Sequence, residues 1–374
     1  MAKEFDSSLK DSQGTAVSPV TAAEFPFGEY EAYSRKLEEY CADFISGKIN
    51  TLVYRRFRVP EVFASVSADM KRSLELQLGA LKESMEYAGD IPNFLEPWYG
   101  IGTIASAFGC EYIWHEDQAP ATVPPFSSFK EALEIDPVEI ENTPIGKHTL
   151  DMTEYFLEKT KGRLPMSLSD VQSPLNASGY LVDTNNYYLG LYDDPENFKL
   201  LLERIVDLMV QFYKKQMEMI GSCLVLPGHG FASSRVFTGV GMSDDNITML
   251  SPDLYRELVL PAVNRFSVEM GGVVFHSCGN WSNKIDVVKE MKGLYCVDGA
   301  FSSETDPDPN PVQPFLEAFD DGNVILNIRL VGSPEDIGRD LRTLASSSVK
   351  TIMVTYGRNP KEQKELYTLC RNEI

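Results

Sequence analysis

"SPDLYRELVLPAVNRFSVEMGGVVFHSCGN", residues 251–280, carries the rhythm from which the fold can be read. Apolar residues recur at helical spacing behind a Ser-Pro start and ahead of Gly271 and Gly272. A short apolar run, Val273 to Phe275, then ends in His276, Ser277 and Cys278. The same alternation continues downstream. "KIDVVKEMKGL" (284–294) predicts a helix and "YCVDGAF" (295–301) a strand. "PVQPFLEAFDDG" (311–322) is helical and "NVILNIR" (323–329) extended. "SPEDIGRDLRTLASSS" (333–348) is helical, "KTIMVTYGRNP" (350–360) holds a strand, and "KEQKELYTLCRNEI" (361–374) is a final helix. Strand, helix, strand, helix, with polar residues at each strand end, is the pattern of a parallel α/β fold.

Upstream the rhythm is looser. A long amphipathic helix is expected over "DDPENFKLLLERIVDLMVQFYKKQMEMIG" (193–221). "LPMSLSDVQSPLNAS" (164–178), "SCLVLPGHG" (222–230) and "VFTGVGMSDD" (236–245) are short apolar runs ending in polar residues. "DIPNFLEPWYGIGTIASAFGCEYIW" (90–114) has the pattern of a strand end feeding a binding loop. Residues 27–50 and 59–89 are expected to be helical. The number of units fits a (β/α)8 barrel of the TIM type with an N-terminal helical extension. One domain then spans residues 26–374, and the Ser/Thr/Ala-rich residues 1–25 are expected to be loosely held. In such barrels chemistry sits at the C-terminal ends of the strands.

Composition narrows the function. The chain has 374 residues, 43% apolar and 24% charged, with a net charge of −21. An acidic surface repels phosphate backbones and anionic lipid heads, so neither nucleic acid nor membrane is an expected partner, and a small-molecule substrate is. No run approaches the roughly 20 apolar residues of a membrane helix, and the N-terminus lacks a signal-peptide core. Six scattered cysteines fit free thiols in a reducing cytoplasm. With four histidines in all, any imidazole site draws on His115, His148, His229 and His276.

His276 and Cys278 stand two apart on a strand end and so share a face. Imidazole plus thiolate suits zinc, with a buried histidine beside an inert cysteine as the plain alternative. Asp298, Glu304, Asp306, Cys296, His229 and Tyr356 are the available third ligands, and spacing alone favours none. Asp244 and Asp245 are paired carboxylates able to hold a proton, a metal or a ligand amine, or simply to cap a helix. Asp170, Gln172 and Asn176 offer hydrogen bonds at another strand end. Arg55, Arg56 and Arg58 in "VYRRFRVP" (53–60) form a tight basic cluster that could clamp carboxylates, or a solvated turn between helices.

Taken together, "GVGMSDDNITMLSPDLYRELVLPAVNRF" (239–266), "VVFHSCGN" (273–280), "VILNIRLVGSPEDI" (324–337) and "VTYGRNP" (354–360) resemble, in order, the uroporphyrinogen decarboxylase superfamily. The likeness runs over roughly residues 50–370. It implies the (β/α)8 barrel and one of two chemistries. One branch decarboxylates the acetate arms of uroporphyrinogen without a cofactor. The other moves methyl groups between a corrinoid protein and a thiol, amine, ether or alcohol, using zinc held by His-x-Cys and a later Cys. His276 and Cys278 match that pair, while Tyr356 stands where the later Cys is expected. The resemblance therefore implies a zinc-assisted methyltransferase with a corrinoid protein as partner. Asp298, Glu304 or Tyr356 would complete the metal site, and Asp244, Asp245 and Tyr356 would be the catalytic candidates. Asp170, Gln172, Asn176, Arg55 and Arg56 would bind substrate. The decarboxylase alternative would use Arg55 and Arg56 on substrate carboxylates, with Asp90 or Asp245 on pyrrole N–H groups. It lacks a counterpart to that branch's late histidine, and "YRRFR" (54–58) is a loose stand-in for its arginine motif. A member that binds a tetrapyrrole or small ligand without turnover is the third reading.

Overall fold

The computed structural model describes residues 14–115, 118–331 and 349–372, together with Ile337 and Leu341. Six parallel strands form its centre: β1 (Thr51–Arg55), β2 (Val240–Ser243), β3 (Val273–His276), β4 (Leu294–Gly299), β5 (Ile325–Leu330) and β6 (Thr351–Thr355). Their spatial order is β1-β6-β5-β4-β3-β2. The register sets Thr51 beside Thr351, Asn327 beside Asp298, and His276 between Asp298 and Ser243.

Short segments complete the round. The Asp90 N–H donates to the Val53 carbonyl at 2.7 Å, and the Leu95 N–H to the Pro165 carbonyl at 2.9 Å. The Ser167 N–H returns to the Leu95 carbonyl at 2.9 Å. Further along, the Ser243 N–H donates to Val171 at 2.9 Å, and the Ser173 N–H to Ser243 at 2.8 Å. Residues 90–95 and 165–173 thus bridge β1 to β2, with residues 223–227 also paired between Met166 and Gly241, and the round follows the expected barrel.

Strand alternation sorts the side chains into two layers. Leu52, Tyr54, Val274, Cys296, Ile325, Ile352 and Val354 fill the barrel interior as one buried cluster. The intervening Val53, Val273, Phe275, Val297, Leu326, Ile328 and Met353 belong to the larger core under the helices. Those helices include α1 (Phe27–Ile45), α2 (Met70–Ser84), α3 (Pro195–Ile220), α4 (Pro252–Leu258) and α5 (Leu260–Met270). α3 buries Phe198, Leu201, Leu202, Ile205, Met209, Phe212 and Tyr213 along one face. Its Gln216 accepts the Ser169 N–H at 3.0 Å, and its Tyr213 hydroxyl donates to the Asp170 carbonyl at 3.2 Å. The longest helix therefore pins the strand end that carries Asp170. Asp90, fully buried, has a similar role at the other side of the ring. It accepts the Val53 N–H at 2.7 Å, the Tyr367 hydroxyl at 2.8 Å and, as an ion pair at 2.8 Å, Arg371 of the helix Pro360–Asn372.

Three local expectations change. "VYRRFR" is neither a turn nor a purely basic cluster, because Thr51–Arg55 is β1, buried throughout. The helix expected over 59–89 starts late: residues 60–63 and 65–68 are single 3-10 turns, and α2 begins at Met70, where the Asp69 carboxylate accepts the Arg72 N–H at 3.0 Å. The helix expected over 251–270 is split into α4 and α5 by Pro261, which supplies no N–H to continue the first ladder. At the N-terminus, residues 14–24 are held more tightly than composition suggests. The Thr15 N–H donates to the Arg58 carbonyl at 2.7 Å and the Val20 N–H to Glu75 at 2.8 Å. The helix expected over 333–348 lies outside the described residues, except for buried Ile337 and Leu341. No described helix is long and apolar enough to cross a membrane.

Candidate functional site

At the C-terminal end of β3 the chain turns with His276, Ser277 and Cys278 at the barrel mouth. His276 keeps the inward direction of Val274, two residues before it. Its Nε2 lies 3.5 Å from the Cys278 Sγ and 3.8 Å from the Asp245 Oδ1. Among the described residues these three side chains are the set of His, Cys, Asp or Glu whose ligand atoms converge, all within 4.8 Å of one another. A tetrahedral ion with bonds of about 2.0–2.3 Å separates its ligands by roughly 3.3–3.8 Å. The thiol, imidazole and carboxylate therefore fit a zinc ion with little adjustment. Asp245 is held in place from two sides. Its Oδ1 accepts the Cys278 N–H at 2.7 Å and its Oδ2 the Asn176 amide at 3.3 Å.

Asp298 is not a ligand of that set. It is next to His276 in the sheet register, and its Oδ2 accepts from His276 Nδ1 at 2.5 Å, on the far side of the ring from Cys278. Its Oδ1 accepts the Asn327 amide, and Arg329 Nη2 lies 3.4 Å from its Oδ2. Burial would raise the Asp298 pKa, but Arg329 and His276 outweigh it and hold the group below its ordinary value. Burial likewise opposes the charged form of His276, yet Cys278 and Asp298 hold its pKa well above the ordinary value. Asp298 thus orients the ring and makes it more basic rather than meeting an ion. Glu304 also lies outside the converging set. Its neighbour Asp306 reaches the turn instead, accepting the Gly279 N–H at 2.9 Å.

The site opens onto a cavity of about 380 Å³ lined by Arg56, Arg58, Trp98, Asp170, His229 and Arg329 as well as His276 and Cys278. Alternation explains which arginine enters. Tyr54 points into the barrel, so Arg56 does too, whereas Arg55 follows Val53 outward. Arg55 stacks on Phe57 at 4.4 Å and Tyr87 at 5.2 Å, and its Nε donates to the Gly357 carbonyl at 3.0 Å. Arg55 is therefore structural, and the substrate-binding expectation passes to Arg56. The two aspartates separate as well. Asp244, fully buried, follows Met242 toward the helix layer and accepts the Tyr255 hydroxyl of α4 at 2.6 Å. Burial pushes its pKa up to about 7. It faces away from the cavity and is not a catalytic candidate. Tyr356 closes the interior layer above Val354; it is 8% exposed and its hydroxyl has no hydrogen-bond partner.

Asp170 lines the cavity, and Gln172 and Asn176 continue from it as a polar chain that ends at Asp245. Gln172 donates to Asp170 Oδ1 at 3.0 Å, and Asn176 donates to Gln172 Oε1 at 2.9 Å and on to Asp245. Trp98 Nε1 donates to Asp170 Oδ2 at 3.3 Å. His229 stands beyond, between Glu96 and Asp170. The sequence offered His229 only as a spare metal ligand, and Glu96, Trp98 and Arg329 were not singled out. The signal for Glu96 and Trp98 was their position in the loop after residues 90–95; Arg329 shares the interior parity of Ile325 and Asn327.

The family described as uroporphyrinogen decarboxylase (URO-D) matches residues 98–350, more than half of the chain. Among solved structures the fold is similar to that of a methyltransferase from Methanosarcina mazei, with a TM-score of 0.58 over 90% of this chain and 98% of that one. Sequence identity to it is 13%, so the likeness is one of fold. No curated protein matches. With the parallel barrel, the polar strand ends and this matched segment in hand, the chain belongs to the uroporphyrinogen decarboxylase family.

Proposed function

We propose that this protein is a zinc-dependent methyltransferase that moves a methyl group between a corrinoid carried by a partner protein and a small methylated molecule. The observation that carries this reading is the convergence of the Asp245, His276 and Cys278 ligand atoms at the mouth of the cavity. Three protein ligands leave one position of a zinc ion open, as catalytic sites do. Zinc held by these residues would supply Lewis acidity, polarising a heteroatom or lowering the pKa of a thiol. The chain's own residues do the rest. Asp298 holds His276 Nδ1 so that Nε2 presents its lone pair outward. Asn176 and the Cys278 N–H aim the Asp245 carboxylate. Trp98, Phe63 and Phe231 give the cavity apolar walls, while Arg56 and Arg58 add positive charge.

The experiment is metal content beside turnover. The purified protein is expected to hold about one zinc per chain, lost in His276→Ala and Cys278→Ala, reduced in Asp245→Ala and retained in Glu304→Ala. Wild type, but not the two metal-free variants, is expected to transfer methyl groups between a reduced corrinoid and methylated substrates. A protein that holds no zinc when prepared without chelator sinks the reading. The cavity arginines also suit a decarboxylase acting on a polycarboxylate. Loss of substrate carboxylates on incubation with uroporphyrinogen, unaffected by chelator, would establish that alternative.

A further inference from the structure

His229 is unused by the metal-centred reading, yet its surroundings are the most constrained in the cavity. Its Nδ1 is hydrogen-bonded to Glu96 Oε1, and its Nε2 lies 3.5 Å from Asp170 Oδ2. Glu96 and Asp170 are both buried, at 6% and 5% exposure. Glu96 is anchored through its own N–H to Gln77 at 2.7 Å, and Asp170 through Trp98 and Gln172. A neutral imidazole has one nitrogen with a lone pair, which here would face a carboxylate lone pair. Two flanking carboxylates therefore select the imidazolium, with a proton on each nitrogen. Burial opposes that charge and Arg56, packed against Gly230, opposes it further; Asp170 and Glu96 outweigh both. Arg58 is the other charged group on this wall, and the edges of Phe63 and Trp98 complete it.

We propose that His229, gripped between Glu96 and Asp170, is the acid that protonates the oxygen released when a methyl group leaves an ether substrate. This rests on the methyl-transfer reading above. A fixed imidazolium suits a substrate that departs as an anion, and works against one that must lose a proton on entry. In the step, an electron pair of the reduced corrinoid makes the new bond to the methyl carbon. The carbon–oxygen bond breaks with its pair remaining on oxygen. The oxygen takes the Nε2 proton of His229, and solvent later restores it. Nε2, 3.5 Å from Asp170, is the more loosely held nitrogen, so its N–H is the one a ligand oxygen can share. Phe63, Trp98 and Phe231 suit a flat ring, and about 380 Å³ accommodates a single-ring compound.

The test compares two methyl donors with zinc-loaded protein and reduced cobalamin. One is an aryl methyl ether; the other is an aryl dimethylsulfonium, whose leaving group departs neutral and needs no proton. His229→Gln is expected to slow the ether by about 10²-fold or more, and the sulfonium far less. Glu96→Gln, which weakens support for the imidazolium, is expected to move the alkaline limb of the ether pH profile to lower pH. Equal losses on the two donors, or a Glu96→Gln profile that overlays wild type, overturns the proposal while leaving methyl transfer intact. Wild-type protein inert toward both donors overturns methyl transfer and this proposal together. Zinc content and circular dichroism check that the variants are loaded and folded. Should His229→Gln fail to fold, the Glu96→Gln profile decides alone.

Discussion

Replacing Asp298 by Asn separates two roles that one carboxylate could have at this site. Asn keeps the size of the side chain and can still accept from His276 Nδ1, but it removes the charge. The structure gives that charge two debtors, His276 at 2.5 Å and Arg329 at 3.4 Å. Both partners are well buried, with side-chain exposures of 13% for Arg329 and 5% for Asp298. Arg329 Nε and Nη2 have no hydrogen-bond partner, so Asp298 is its nearest compensation. At 3.4 Å and an effective dielectric of about 20, the attraction is about 5 kcal/mol. Part of it is recovered by water and relaxation, and breaking one member of a buried pair costs roughly 3–5 kcal/mol. A loss near the lower end, about 3 kcal/mol in metal-free protein, is expected from urea unfolding. Zinc affinity is expected to fall by about 10–100-fold, the usual effect of removing an outer partner of a ligating histidine. Competition against a chromophoric chelator measures it. Complete loss of zinc, as in Cys278→Ala, would make Asp298 a direct ligand and refute the assignment of Asp245 as the third. Unchanged affinity would refute the orienting role.

Arg55→Ala is expected to cost about 1–2 kcal/mol of stability, through its lost stacking on Phe57 and Tyr87, with no change in substrate KM; Arg56→Ala is expected to do the reverse. Thermal unfolding and steady-state kinetics on the pair check it, and a KM effect from Arg55 sinks the strand-parity argument. Asp244 gives a pH signature. Its folded pKa of about 7 lies above the ordinary 3.8, so its neutral form is the one the fold prefers. That stability is fully present below about pH 4 and is lost as pH rises through about 7, by up to about 4 kcal/mol for three units. Asp244→Asn should keep a partner for Tyr255 and flatten this slope in metal-free protein. Urea unfolding at pH 5 and pH 8 reads it, and an equal fall in the variant assigns the slope elsewhere.

The barrel was legible where helix and strand periods alternate cleanly, from Ser251 onward. β3, β4, β5 and β6 fall where the apolar runs end in polar residues. It was least legible at β1, because two consecutive arginines mask a strand whose exposed-looking members are in fact divided between core and cavity. Residues 90–95 and 165–173 carry too few ladder bonds to show a strand period. His276 and Cys278 could be paired from spacing because i and i+2 share a face. The third member of the converging set could not, since Asp245 comes from a turn after another strand and reaches Cys278 only through the parallel register of β2 and β3. Adjacent letters misled at Arg55–Arg56 because neighbours on a strand point to opposite sides of the wall, and at Asp244–Asp245 because the chain leaves the strand there and enters a 3-10 turn at Asp245. His229 gave no sequence signal of its own, because Glu96 and Asp170 are distant in the chain and only the closed ring sets them on either side of one imidazole.

The ring also has a history in time. β1 pairs with β6, whose Thr351 lies 300 residues after Thr51. During synthesis the open edge of β1 therefore waits for most of the chain to emerge, with its N–H and C=O groups unpaired on that side. Asp90 waits with it, since Tyr367 and Arg371 arrive later still. A carboxylate that ends fully buried is thus obliged to stay near water until its cation appears. For that interval the half-built edge offers its free N–H and C=O groups to any other extended chain, the condition under which unfinished chains pair wrongly.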